Sequence, residues 1–128
     1  FKYLNAPYRL KRGEEGCCLE GTWGVEFFHL QPESNELVVV KHHYSAFFET
    51  DLHARLQSLG VDTLVVTGVA TNVCVDSTLR EGFFHGYHIV VPEDCVNSNS
   101  KAGHEGTLAT VRNNIGIVCQ SDAIISLL

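Results

Sequence analysis

The chain has 128 residues, 45% of them hydrophobic and 19% charged, with a formal net charge of −6. That size suits one globular domain burying about two-thirds of its unfolded surface. No run of Lys or Arg offers a phosphate-tracking surface, and no apolar run approaches the length of a membrane span, so neither a nucleic-acid nor a membrane partner is expected. Nothing resembles a signal peptide. The cysteines, at 17, 18, 74, 95 and 119, are odd in number and lack Cys-x-x-Cys spacing. They fit free thiols in a reducing cytoplasm better than a disulfide scaffold or a zinc site.

In chain order, residues 1 to 20 show no period and read as loop. Glu36 to Lys41 reads as a buried strand. Thr50 to Leu59 reads as an amphipathic helix with Leu52, Leu56 and Leu59 on one stripe, closed by Gly60. Asp62 to Thr67 is the next strand. A helix from about Val73 to His85 follows, with Gly86 just past its end. His88 to Val91 is a strand, Ser100 to Asn114 a helix and Ile115 to Cys119 a strand. A last short helix starts at Ser121 or Asp122, both good N-cap types. Strands alternating with helices argue for a doubly wound, mostly parallel sheet with helices on both faces.

The segment Asp62 to Arg80 carries the chemistry. An apolar β-branched run ends at Gly68, a short turn follows, and Cys74 falls in the first turn of a helix-compatible stretch. A thiol there lies near the positive end of the helix dipole, among backbone N–H groups that favour a thiolate and other anions. That is the setting of a cysteine nucleophile beside an oxyanion hole. A cysteine buried in an α/β core is the alternative that position alone allows.

Four segments resemble the isochorismatase-like cysteine hydrolases, a family that includes nicotinamidases, carbamoylsarcosine and ureidoacrylate amidohydrolases, and isochorismatase. Glu20-Gly-Thr-Trp-Gly-Val-Glu26 resembles the Gly-rich lead-in, and Val39-Val-Lys-His-His-Tyr-Ser-Ala-Phe47 the lysine strand. Gly68-Val-Ala-Thr-Asn-Val-Cys74 resembles the nucleophile elbow, and Gly86-Tyr87 to Asp94 the strand after it. The resemblance runs from about residue 16 to 125. It implies a three-layer α/β/α, Rossmann-like fold over a single domain, residues 1 to 128.

The same resemblance implies a hydrolase of small linear amides or carbamoyl compounds that uses an Asp-Lys-Cys triad. Cys74 would attack the carbonyl to form a thioester, and Lys41 would favour the thiolate. The oxyanion hole would come from the N–H groups of Ala70 and Cys74, with a cis Val69–Ala70 peptide. Tyr44, Phe47 and Asn72 would contact substrate, with packing and turn geometry as ordinary alternatives for Phe47 and Asn72. Trp23 is a weaker candidate to cover the pocket. The family's aspartate, at the end of its first strand, has no match in this chain, which therefore reads as lacking its N-terminal strand or strands. Without that strand the one ending at Lys41 has no neighbour, so the chain is expected to borrow pairing, for example as a homo-oligomer. If another carboxylate took the base's place, Asp51 and Asp94 would be the first suspects. No cofactor is expected. The histidines at 29, 42, 43, 53, 85, 88 and 104 lack ligand spacing, so no metal site is expected either. Two other functions stay open: an isochorismatase, which cleaves a vinyl ether without a cysteine nucleophile, and an inactive oligomerisation domain.

Overall fold

The computed structural model describes Cys18 and residues 20–127. Two compact units divide the chain, residues 1–38 and residues 39–128. The described part of the first unit is irregular except for a short 3-10 turn, Trp23–Val25, where the Val25 amide donates to Thr22 O at 3.2 Å. Trp23 is 85% exposed there. Cys17 and most of the expected leading loop lie outside the described residues.

The second unit is built on three parallel strands: β1 (Thr63–Val65), β3 (His88–Pro92) and β5 (Gly116–Cys119), in the order β1-β3-β5. Their β-branched residues suit a pleated, packed surface. In β3, Ile89 and Val91 are buried while His88, on the opposite face, is exposed. A second parallel pair joins β2 (Gly68–Val69) to β4 (Val96–Asn97), Gly68 opposite Val96 and Val69 opposite Asn97. The expected strand Asp62 to Thr67 thus ends at Val65, and the chain re-pairs three residues later, at Gly68, with a different partner.

Among the described residues four α-helices are interleaved with the strands: α1 (Leu52–Ser58), before β1, α2 (Asp76–Phe84), α3 (Lys101–Thr110) and α4 (Ser121–Ile125). In α1, Leu52 and Leu56 pack on the core, but Leu59 falls past the last turn and is exposed. Gly60 and Gly86 terminate α1 and α2 with φ of +68° and +91°, a conformation only glycine adopts without steric cost. The core gathers Phe47, Val75, Leu79, Tyr87, Ile89, Val91, Val96, Leu108 and Val111. Each large aliphatic side chain among them contributes roughly 1.5–3 kcal/mol by leaving water. Gly82 lets α2 settle on the sheet, because a Cβ there would meet Leu64 Cδ1 at 2.9 Å and Phe47 Cε2 at 3.2 Å.

Two expectations are corrected. Glu36 to Lys41 is not a strand and enters no ladder among the described residues. A strand needs a neighbour to take its N–H and C=O groups, and apolar composition cannot supply one. The last helix does begin at Ser121, but its N-cap residue is Gln120, and the Ser121 hydroxyl donates to Asp94 instead of capping.

Gly116 opens β5 directly against β3: a Cβ there would lie 2.1 Å from Ile89 O. Gly116→Ala should therefore force the strands apart and cost at least about 1–3 kcal/mol, as overpacking does. Gly106, inside α3, has open space around it, so Gly106→Ala should raise stability by up to about 1 kcal/mol through helix propensity. Urea denaturation midpoints check both; equal shifts would contradict the packing argument.

Candidate active site

Cys74 lies in a π-helical turn, Thr71–Val75, that leads directly into α2. The turn is seated on Ala70, whose carbonyl accepts from Val73 N at 3.0 Å and from Val75 N at 3.2 Å. The Val69–Ala70 peptide is cis, as the family resemblance implies. Just before it, at the start of β2, Gly68 has φ +109°, a backbone conformation that favours glycine where the chain turns from the main sheet into its second pairing. Cys74 itself is half-buried, whereas Cys18 and Cys95 are exposed.

A single later segment fastens this elbow. β4 pairs with β2. The Ser98 hydroxyl, next in chain, donates to Asn72 Oδ1 at 2.5 Å. Gly103 then approaches the same side chain so closely that a Cβ would stand 2.6 Å from Asn72 Nδ2. Finally, His104 Nδ1 lies 2.9 Å from the Thr71 hydroxyl, a bond whose direction depends on the imidazole tautomer. Thr71 is fully buried, so its hydroxyl requires such a partner. Ser100 caps α3 by accepting from Gly103 N at 3.1 Å and so fixes the helix end that presents Gly103 and His104.

Lys41 and Tyr44 are both half-buried, in the segment that reaches this helix from the other side in sequence. Lys41 Nζ donates to His43 O at 2.9 Å. The Ala46 amide donates to Thr78 Oγ1 at 3.0 Å, which ties the lysine segment to α2 four residues beyond Cys74. Phe47 is deeper than a pocket wall: it is 6% exposed, stacks near Tyr87 at 5.9 Å between centroids, and touches the space above Gly82. Packing accounts for it. Asn72 likewise has its acceptor committed to Ser98 and its amide pressed against Gly103, so its position follows from elbow geometry. Sequence reading missed Ser98, Gly103 and His104. The only local signal was Ser100, a good N-cap residue ahead of the α3 pattern. Among the described residues no group of three or more His, Cys, Asp or Glu converges.

The isochorismatase domain family matches residues 3–123. An ureidoacrylate amidohydrolase of Acinetobacter baylyi is 37% identical over 109 residues, 84% of this chain and 44% of that protein. Among solved structures, an isochorismatase-like hydrolase of Alkaliphilus metalliredigens is 32% identical with a TM-score of 0.82, over 92% of this chain and 65% of that one. The nicotinamidase of Staphylococcus aureus is 34% identical with a TM-score of 0.61, over 62% of this chain and 50% of that one. The chain thus spans less than half the length of the amidohydrolase it matches. These likenesses show the three-layer α/β/α architecture expected from the strand–helix alternation.

Both suspected carboxylates are engaged elsewhere. Asp51 accepts from Arg55 Nε at 2.7 Å, one turn along α1. Asp94 accepts from Ser121 N at 2.8 Å and Ser121 Oγ at 2.5 Å, which pins the start of α4 to the loop after β3. The Ser121 hydroxyl holds the Asp94 carboxyl below its ordinary 3.8. A carboxylate whose pKa falls on folding adds stability above its unfolded pKa and loses it as pH drops through the folded value. Asp94→Asn should consequently flatten the acid limb of the stability profile below about pH 4 and change little near neutrality. Urea midpoints between neutral and acid pH measure this; an unchanged acid limb would mean that Asp94 does not contribute.

Proposed function

The chain belongs to the isochorismatase domain family, and from that premise we propose that it supplies the cysteine centre of an amidohydrolase acting on a small linear amide or carbamoyl compound. One observation carries the reading. Cys74 stands in the π-helical turn that leads into α2, on an elbow fastened through Thr71 and Asn72 on one side, while α2 is bonded through Thr78 to the lysine segment on the other. The named amidohydrolase and nicotinamidase relatives cleave C–N bonds of small amides, which supports the reaction class.

In this proposal the Cys74 thiolate attacks the amide carbonyl carbon. An S–C bond forms while the carbonyl oxygen becomes an oxyanion, accepted by the N–H groups of Ala70 and Cys74. Each such donor typically contributes about 2.7–4 kcal/mol of transition-state stabilisation. The C–N bond then breaks, with a proton delivered to the leaving nitrogen, and water hydrolyses the thioester. Lys41 supplies a positive charge from its half-buried position. The carboxylate that shuttles the proton is not assigned to a residue of this chain, because Asp51 and Asp94 are already bonded to Arg55 and Ser121. Tyr44 contributes a hydroxyl beside the lysine for a polar substrate end.

Iodoacetamide gives the first check. Exposure alone would favour Cys95 and Cys18; an activated nucleophile would make Cys74 react first near neutral pH. Cys74→Ala should abolish release of the amine from ureidoacrylate or nicotinamide, the substrates named for the relatives. Normal turnover in that variant, or labelling in order of exposure, would sink the covalent route.

A further inference from the structure

We infer that His104 is a positioning residue for Cys74 and acts through Thr71; the inference rests on the reading of Cys74 as nucleophile. A π-helical turn is a rare conformation, and its wider ring sets the direction in which its side chains leave the backbone. Ordinary propensity would let the stretch tighten into the α-helix that α2 already continues. Something outside the turn must therefore hold it, and it must act on the turn's first residues, because the last are shared with α2.

The contacts at that end are few and specific. Thr71, the first residue of the turn, is fully buried and shares its hydroxyl bond with His104 Nδ1 at 2.9 Å. Asn72, the second, is held by Ser98 and abuts Gly103. The Ser98 bond comes from a loop, and Gly103 restrains only by its lack of a side chain. His104 differs from both. Its backbone amide is bonded to Ser100 O at 2.8 Å, so it sits on the first closed turn of α3. Its Nδ1 lies close to its own backbone, with only two torsions between them. A short, stiff lever thus runs from a formed helix to the residue at which the π turn begins. Without it, Thr71 keeps a buried hydroxyl with no fixed partner, the turn can re-register, and the Cys74 sulfur leaves its attack geometry. Small misplacements of a reacting atom are costly even when the fold survives.

The test uses the full chain and two probes that do not depend on the natural substrate. One is the rate of Cys74 alkylation by iodoacetamide. The other is p-nitrophenyl acetate: the thiolate forms an S–C bond to the acetyl carbon, the C–O bond breaks, and p-nitrophenolate is released. His104→Ala should slow both alkylation and kcat by about tenfold to a hundredfold, with KM changed by no more than about twofold. His104→Asn should restore most of the rate, because its side-chain amide places a hydrogen-bonding atom near the Nδ1 position. Thr71→Val should match His104→Ala, Thr71→Ser should stay near wild type, and the double variant should be no worse than the poorer single. A lower melting temperature in His104→Ala with Cys74 alkylated at the wild-type rate would overturn the inference and leave His104 merely structural. Additive losses in the double variant, or no rescue by Asn, would also overturn it. If wild-type Cys74 is alkylated no faster than Cys95 and gives no p-nitrophenolate burst, the nucleophile reading fails and takes the inference with it. A fast wild type beside an equally fast His104→Ala sinks the positioning role alone.

Discussion

The pairing of two short strands, Gly68–Val69 with Val96–Asn97, governs how the cysteine is presented. β1 lies in the main sheet, where β3 holds it. Once past Val66, whose amide still donates to Val90 O at 2.9 Å, the chain has left that ladder and needs another partner. β4 provides it, and it is also the strand that leads straight to Ser98, Ser100, Gly103 and His104. One excursion of the chain therefore pairs the approach to the elbow, bonds its second residue, clears space beside it and secures its first. Hydrogen bonds of about 1 kcal/mol each would be weak devices singly. Contiguous in sequence and anchored on a capped helix, they act together.

The elements most open to reading from sequence were those whose stability is local or periodic. The strand His88 to Val91 and the helix after Ser100 follow from short apolar and periodic runs, and Gly60 and Gly86 mark helix ends, all from patterns spanning a few residues. What could not be read depends on partners distant in sequence. The apolar stretch Glu36 to Lys41 looks like a strand, but no ladder forms without a neighbour among the described residues. Phe47 lies near the lysine, so a pocket wall was a reasonable expectation, yet Gly82, 35 positions later, leaves the space that draws its ring into the core. Asn72 offered an amide suited to a substrate, and Ser98 already occupies its acceptor. His104 was invisible for the same reason: its meaning lies in Thr71, which sequence reading had no cause to join to it.

Aromatic and imidazole rings fill the end of the unit where α1 meets the close of α2. His53 and His85 stack at 4.0 Å, Tyr87 shares a 2.9 Å hydrogen bond with His53 Nδ1, and Phe47 lies 5.2 Å from His85. This cluster joins α1, the last turn of α2 and the start of β3 to the segment that also carries Lys41. The lysine segment is thus held by ring packing at Phe47 and by the Ala46–Thr78 bond, and the cysteine elbow by polar contacts with residues 96–104. Two kinds of fastening, one apolar and one polar, meet on α2.

Because the elbow and residues 98–104 are joined by hydrogen bonds at Thr71 and Asn72, they cannot loosen separately. The Thr71 side chain is bonded to His104 in the first turn of α3 and the Asn72 side chain to Ser98 just before it, so opening the turn means breaking its hold on the start of that helix as well. Local opening would then be a concerted event involving two stretches of chain far apart in sequence. In amide hydrogen exchange, such a pair would show one shared protection level and one shared response to denaturant, and the mobility available to the cysteine would be set by the end of a helix about 30 residues further along the chain.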